Sequence, residues 1–154
     1  DLIDFVEKPS NDIDIPEETD KQAVESKKAS ITGDKAEKLF EKKVLKEYGW
    51  DVENVTDRVG KGYDFFCKDP ELYIEIKGCR GSLDSIRLTS NEWKVAKEKK
   101  GKYILIIVYN IDEKDNEKMI TIIDPFSSFN HVVDPQVMIV KNYHIKGRYL
   151  RELI

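Results

Sequence analysis

Two acidic residues and a lysine lie on neighbouring apolar segments of this chain. Asp64 lies in the apolar segment 63–67, and Glu75 lies in the apolar segment 72–76. The four residues between these segments include a proline and are typical of a turn, so we predict a β-hairpin. Side chains two residues apart on a strand share a face, so Lys77 should point the same way as Glu75.

The predicted hairpin brings two carboxylates together. If the strands pair across the turn, Phe65 lies opposite Ile74 and Asp64 lies opposite Glu75. Opposed Cβ atoms are about 4.5–5.5 Å apart, so two carboxylates there repel each other, and burying them adds a further cost. A divalent cation between them would remove the conflict, since Mg²⁺ and Mn²⁺ bind carboxylate oxygens. The pattern predicts a metal site beside an ammonium group, and a cross-strand salt bridge at a sheet edge is the alternative.

A helix is predicted before the hairpin, over the segment 33–48. Its apolar residues recur at steps of four, namely Ala36, Phe40, Val44 and Tyr48. Asp34 and Glu37 have the spacing of a helix start signal, and Gly49 marks the end. Glu37 projects into the apolar stripe. It is either a first-turn glutamate that the helix dipole favours or a functional residue.

The remaining segments predict an α/β domain. The predicted elements after the first helix are a strand in 50–55, the hairpin, an extended piece at 85–88, a helix opened by the capping box Thr89-Ser90-Asn91-Glu92, a buried strand Tyr103–Tyr109, its partner Met119–Ile123, a possible strand Val137–Val140 and a terminal helix in 143–154. We therefore expect a central mixed β-sheet flanked by helices, in the order α-β-β-β-α-β-β, with one helix on each face.

Charge and composition divide the chain into three parts. Residues 1–28 hold nine acidic residues and four lysines, whereas the whole chain has a net charge of -4. We expect an acidic linker or loosely docked segment at 1–30, a core at 31–125 and a C-terminal extension of the same domain at 126–154. The chain begins with Asp1, which suggests a piece of a larger protein. Two cysteines without zinc-like spacing favour an intracellular location.

An ordered series of motifs resembles a known family. The series comprises Gly33-Asp34-Lys35-Ala36-Glu37, Gly49-Trp50, Gly62-Tyr63-Asp64, Tyr73-Ile74-Glu75-Ile76-Lys77-Gly78, Leu88-Thr89-Ser90-Asn91-Glu92-Trp93 and Tyr103 at the start of the apolar strand. It resembles the domain at the C-terminus of the plant protein NO VEIN, within the PD-(D/E)XK superfamily of restriction-endonuclease-like nucleases. The resemblance covers about residues 32–125. Tyr63 stands where the superfamily name has proline, which leaves the carboxylate in place.

The resemblance implies a role for each of the matching residues. Asp64 and Glu75 would hold one or two Mg²⁺ ions, with the backbone carbonyl of Ile76 as a further ligand. Glu37 would support a metal-bound water or a second ion. Lys77 would orient or deprotonate the attacking water, or stabilise charge on the phosphate. The implied activity is metal-dependent hydrolysis of phosphodiester bonds, with DNA as the expected substrate.

Four basic residues are candidate nucleic-acid contacts, and the resemblance also implies partners. Lys61, Arg80, Arg87 and Lys94 are candidate phosphate contacts, although charged surface residues are more often only solvated. Related domains sit behind helicase or ATPase modules in restriction and defence proteins, so we expect such a partner, and two-strand cutting would favour a homodimer. We expect no membrane contact. The alternative functions are a non-cutting nucleic-acid-binding or protein-interaction module of the same fold and a purely structural domain.

Overall fold

The computed structural model describes residues 20–58, 60–135 and 142–154. In chain order its elements are α1 (Asp20–Tyr48), β1 (Val52–Asn54), β2 (Phe65–Cys67), β3 (Leu72–Gly78), β4 (Ile86–Thr89), α2 (Ser90–Lys99), a 3-10 turn (Lys100–Lys102), β5 (Tyr103–Tyr109), β6 (Lys118–Ile123), α3 (Pro125–Phe129), β7 (Asp134–Pro135), β8 (Asn142–Ile145) and α4 (Gly147–Arg151). The predicted order is present, and the extended piece before the second helix is the strand β4.

A five-stranded mixed sheet of order β1-β2-β3-β5-β6 forms the centre of the fold. The predicted hairpin register is confirmed, because Phe65 pairs with Ile74 and Cys67 pairs with Leu72. β3 and β5 run parallel. Parallel neighbours need a long crossover, which the segment containing α2 supplies. A smaller three-stranded sheet of order β4-β8-β7 lies beside the central one. The α/β prediction is confirmed.

β5 is buried along its whole length and separates two hydrophobic clusters. Ile104, Ile106 and Val108 pack in one cluster with Ala36, Phe40 and Val44 of α1. Leu105, Ile107 and Tyr109 pack in the other cluster with Trp93 of α2. Because side chains alternate across a strand, α1 and α2 cover opposite faces of the sheet, as the sequence predicted.

α1 begins earlier than the sequence predicted. It spans Asp20–Tyr48, so the predicted start signal at Asp34 and Glu37 is wrong. Residues 20–32 contain no proline and include three lysines, two alanines, a glutamine and a glutamate, which favour helix over the part of the predicted linker that the structure describes. Residues 1–19 lie outside the described residues. Gly33 in a helix interior costs about 1 kcal/mol relative to alanine, and the burial of α1 against the sheet offsets that cost.

Of the other helices, α2 begins where the sequence predicted and α4 is shorter than predicted. The predicted capping box of α2 is confirmed, because Glu92 N–H donates to Thr89 Oγ1 at 3.2 Å and Thr89 N–H donates to Glu92 Oε2 at 2.9 Å. The predicted terminal helix is only partly formed. Its first residues belong to β8, and α4 is confined to Gly147–Arg151. The possible strand Val137–Val140 lies outside the described residues.

Gly78 ends β3 at a close approach to α1. A Cβ atom there would lie 3.1 Å from the Ala36 side chain and 3.0 Å from the Ile111 side chain. Such contacts are too short for a larger residue, so this glycine lets α1 pack against the end of the strand that carries Glu75 and Lys77. Within the described residues, no helix has both the length and the apolar character needed to cross a membrane.

Candidate functional site

The hairpin positions Asp64 at the point where the β2–β3 ladder ends. Asp64 N–H donates to the Ile74 carbonyl at 2.9 Å, and its Oδ2 accepts from Ile76 N–H at 2.9 Å. The Asp64 carboxylate therefore accepts a hydrogen bond from the backbone of β3 where a neighbouring strand would otherwise supply a carbonyl group. The ladder ends at Phe65 and Ile74, so the predicted Asp64–Glu75 pair is not part of it, but this contact fixes the Asp64 side chain beside the strand that carries Glu75.

Glu75 and Lys77 share one face of β3. Glu75 is only 3% exposed, and its Oε1 lies 2.9 Å from Lys77 Nζ. Ile74 and Ile76, which alternate with them, pack in the cluster of α1. Glu75 and Lys77 consequently point towards the α2 side of the sheet.

Glu92 of α2 completes the ion-pair network from the opposite element. Its Oε2 lies 2.9 Å from Lys77 Nζ, and the same oxygen accepts from Thr89 N–H at 2.9 Å. The glutamate of the α2 capping box thus also binds the ammonium group that Glu75 contacts. From the sequence, Glu92 is expected only in the capping box, and nothing in the spacing indicates its contact with β3.

Burial and mutual repulsion make the acids of this cluster harder to ionise. Burial raises the pKa of Asp64, and the Ile76 N–H bond and the charge of Lys77 offset part of that increase. Burial also raises the pKa of Glu75 well above its ordinary value; Lys77 opposes that shift, whereas Glu92 and Asp64 add to it. Carboxylates so placed are stabilised by a further cation.

Lys77, unlike the acids around it, is stabilised in its charged, protonated form. Burial alone would lower the pKa of Lys77, but the charges of Glu75 and Glu92 outweigh it and raise the pKa. The buried Tyr103 lies at the same end of the sheet, and its hydroxyl donates to the Gly62 carbonyl at 2.8 Å. Burial raises the pKa of Tyr103, with Glu75 and Glu92 adding to the shift. Tyr103 therefore acts as a fixed donor that anchors the loop before Asp64.

Glu37 lies beside Asp64 rather than within the ion-pair network. It is half-buried on α1, and its pKa is raised from the ordinary 4.5 to about 7, first by burial and then by the charges of Asp64, Asp34 and Glu41. Because α1 begins at Asp20, Glu37 is far from the first turn, and the helix-dipole interpretation is wrong. The structure thus brings Asp64, Glu75 and Lys77 together. Glu37 approaches this cluster from α1, on the side of Asp64.

The raised pKa of Glu37 predicts a pH-dependent cost to folding. Between about pH 4.5 and 7 the folded domain holds a proton that the unfolded chain has lost, so the free energy of unfolding falls as pH rises across this window. We expect Glu37→Gln to raise the melting temperature at pH 8 and leave it unchanged at pH 4. Thermal unfolding of both proteins measures this difference. Glu98→Gln, at an exposed position on α2, is the control, and an equal response of the two variants would contradict the prediction.

A cleft of about 200 Å³ opens over Asp64 and Glu75. Arg58 and Lys61 line its outer part, and Glu92 lines its inner part. The loop that carries Lys61 is fixed to α2, because Asn91 Nδ2 donates to the Gly60 carbonyl at 2.9 Å. The cleft is therefore acidic at its floor and basic at its entrance, which suits a phosphate group bound next to a cation.

The loop before Asp64 requires glycine at position 62. Gly62 has φ +78, and a Cβ atom there would lie 2.8 Å from Val95 Cγ2 and 3.1 Å from the Asn91 carbonyl oxygen. A side chain would therefore combine an unfavourable backbone conformation with a contact to the backbone of α2. Glycine lets the loop lie directly on α2 and bring Lys61 to the cleft.

The predicted basic contacts divide into one residue at the cleft and three away from its lining. Lys61 lines the cleft, as described above. Arg80 is exposed after β3 and pairs with Asp112 at 2.8 Å. Arg87 lies on the exposed side of β4, and Lys94 lies on the exposed side of α2. Arg58 is a cleft residue that the sequence analysis did not select, because it lies in a polar loop without periodicity.

The acidic pair fits a magnesium ion of the kind bound mainly through water. The described residues contain no group of three or more acidic, histidine or cysteine side chains placed to hold a metal. Mg²⁺ commonly uses only one or two carboxylates, with waters and substrate phosphates completing its shell. Asp64 and Glu75 supply two carboxylates whose pKa values are raised by burial, and the charge of Asp64 adds to the increase at Glu75. The donor set therefore matches the requirement of a hard divalent cation.

Fold and site together define an α/β domain with a buried acid-lysine cluster at the end of a β-hairpin in a mixed sheet. The model of the family "Protein NO VEIN, C-terminal" matches residues 33–122, and the chain belongs to this family. The matched range contains the whole cluster, from Glu37 to Glu92. No curated protein and no solved structure gives a significant match.

Proposed function

We propose that this domain is a metal-dependent nuclease that hydrolyses phosphodiester bonds, with DNA as its substrate. The observation that carries the proposal is the convergence of Asp64 and Glu75 on one cleft with the Lys77 ammonium 2.9 Å from Glu75. A stability-driven core avoids two buried carboxylates at one place. Their presence beside a fixed cation is accounted for when a metal and a phosphate bind there.

Asp64 and Glu75 would hold Mg²⁺ or Mn²⁺, with the Ile76 carbonyl as a further ligand. The bound ion would polarise the phosphate and lower the pKa of a coordinated water. The bond from Ile76 N–H to Asp64 Oδ2 fixes the Asp64 carboxylate beside the strand that carries Glu75. Glu37, next to Asp64, would accept a hydrogen bond from a water there or contribute to a second ion.

Lys77 would stabilise negative charge on the reacting phosphate. Its raised pKa keeps it protonated, which favours this role over deprotonation of the attacking water. Glu75 and Glu92 hold the ammonium group from two sides, so it is fixed before substrate arrives. Preorganised charge of this kind is worth about 10²–10³ in rate when a single donor is removed.

The cleft entrance indicates a polyanionic substrate. Arg58 and Lys61 are both exposed beside the acidic floor, and their charges would attract successive phosphates of a nucleic-acid strand. We further propose that the domain works inside the cell, cytoplasmic or nuclear, within a larger restriction- or defence-type protein. An ATPase or helicase partner and a homodimer are part of this proposal.

A non-cutting nucleic-acid-binding module is the second candidate, and one observation favours it. Lys77 is already bound by Glu75 and Glu92, both at 2.9 Å, so the network is closed without a metal. A binding module would keep the same cleft and basic entrance. Against it, a module without catalysis would tend to lose one of the four groups, and all four are present in this chain.

A cleavage assay tests the proposed function. The protein is incubated with plasmid, linear duplex, single-stranded DNA and RNA, each in Mg²⁺, Mn²⁺ or EDTA. We expect metal-dependent cutting of DNA that falls by about 10²–10³ in Lys77→Ala. Since Lys77→Ala also disturbs a buried network, Glu75→Gln serves as a second inactive variant. If the full-length protein cuts none of these substrates, even with the nucleotide of the expected ATPase or helicase partner added, the non-cutting module is favoured.

A further inference from the structure

Two cavities beside α1 lie away from the acidic cleft. Two adjoining cavities of about 510 and 250 Å³ share Leu39, Lys42 and Glu117. They form one groove between α1 and the edge strand β6 with the loop that precedes it. We call it the lysine groove, because the lysines that line it are Lys35, Lys38, Lys42, Lys43, Lys46, Lys114 and Lys118.

Most of these lysines have no partner in the part of the chain that the structure describes. Lys43 pairs with Glu47 at 3.5 Å, and each of the other six lies beyond ion-pairing distance of every described carboxylate. The groove floor is apolar, with Leu39 and Ile111 in one cavity and Met119 in the other. A row of free cations above an apolar floor predicts an occupant that is both acidic and apolar.

The lining favours an acidic peptide over a nucleic acid. No aromatic ring lines either cavity, so unpaired bases have no surface on which to stack. Asp112, Glu117 and Glu47 also line the walls, where they would repel a continuous phosphate backbone. An acidic peptide can place each carboxylate beside a lysine and its apolar side chains on the floor.

One segment of this chain has the required composition. Residues 1–19 contain seven acidic residues against the single cation Lys8. Four apolar residues, Leu2, Ile3, Phe5 and Val6, are interspersed with Asp4 and followed by Glu7. We propose that residues 1–19 dock in the lysine groove as an acidic strap, with this apolar group on the groove floor.

The connection to α1 is long enough for this docking. Lys35 and Lys46 lie about 22 and 39 Å along the helix axis from Asp20, at 1.5 Å per residue. An extended chain from Val6 to Asp20 spans up to about 46 Å. The segment can therefore fold back antiparallel to α1 and place Asp4 and Glu7 beside Lys38 and Lys42. The flank of α1 that carries Glu37 stays free.

A spin label on the full chain tests the strap. Ser10→Cys places the label on residues 1–19 without changing an acidic or apolar residue, and the native Cys67 and Cys79 are both buried. We expect the label to remove the methyl NMR signals of Leu39, Ile111 and Met119 at low salt. The signals should return in high salt, because the contact is electrostatic.

Charge exchange distinguishes the strap from a chance contact. Lys38→Glu with Lys42→Glu should restore the signals, and adding Asp4→Lys with Glu7→Lys to that protein should remove them again. Lys68→Glu with Lys94→Glu, at exposed positions outside the groove, should have no effect. Undiminished signals in the labelled chain, or a loss that charge reversal does not change, would overturn the proposal. A loss that depends on protein concentration would also overturn it, because a second copy would then occupy the groove. Binding of a DNA duplex in the groove, with no effect of the label, would overturn it as well.

Discussion

Glu75→Gln is expected to raise the melting temperature of the metal-free domain at pH 8. Glu75 is 3% exposed, and burial with the nearby charges of Glu92 and Asp64 raises its pKa well above the ordinary value. The ionised group is therefore less favourable in the folded domain than in the unfolded chain. A neutral side chain of the same shape removes that cost. An increase of about 2–4 °C corresponds to about 1 kcal/mol in a domain of this size.

The ion pair with Lys77 does not reverse this expectation. In Glu75→Gln the ammonium keeps Glu92 at 2.9 Å, so the buried cation still has a carboxylate partner. The gain should disappear near pH 4, where the carboxyl is protonated in both states. Scanning calorimetry at both pH values measures this, with Glu98→Gln at an exposed position on α2 as the control. A lower melting temperature at pH 8 would mean that Glu75 is mainly a structural partner of Lys77.

Lys77→Met is expected to destabilise the domain by about 3–5 kcal/mol at pH 8, the usual cost of removing one partner from a buried ion pair. Methionine keeps the length of the side chain but removes the only cation that contacts Glu75 and Glu92 among the described residues. Two buried acids would then face each other without compensation. The loss should be smaller at pH 5, where the acids with raised pKa values bind protons.

A double variant tests whether this loss comes from charge. Lys77→Met with Glu75→Gln removes the cation and one of the two acids that contact it. Residues of one network are non-additive, so denaturant unfolding should show that Glu75→Gln stabilises Lys77→Met by more than it stabilises the wild-type protein. If the two changes simply add, or if the cost of Lys77→Met is the same at pH 5 and pH 8, packing rather than charge would explain the effect.

Local pattern was sufficient to predict the hairpin and the sheet core. The alternation around Asp64 and Glu75, with a turn between them, fixes the register because a one-residue slip would exchange the two faces. The continuous apolar run of β5 likewise predicts a strand covered on both sides, and both α1 and α2 cover it. Each of these features depends on residues close together in the chain.

The features that could not be predicted depend on contacts between distant elements. The contact of Glu92 with Lys77 joins residues 15 positions apart, and the capping box already explained a glutamate there. The early start of α1 has no cap signal within 33–48, and ordinary helix-forming residues precede Gly33. The lysine groove exists only because β6 lies beside α1, which no periodicity in either segment shows.

Magnesium binding to the full chain, measured by calorimetry at pH 7.5, is the decisive test of the proposed metal site. A divalent cation bound by Asp64 and Glu75 would relieve the repulsion between their charges. We expect saturable Mg²⁺ binding to the wild-type protein, abolished in Asp64→Asn and in Glu75→Gln and retained in Glu98→Gln. No binding to the wild type, or equal binding to all four proteins, would contradict the metal site and leave the cluster as a structural ion-pair network.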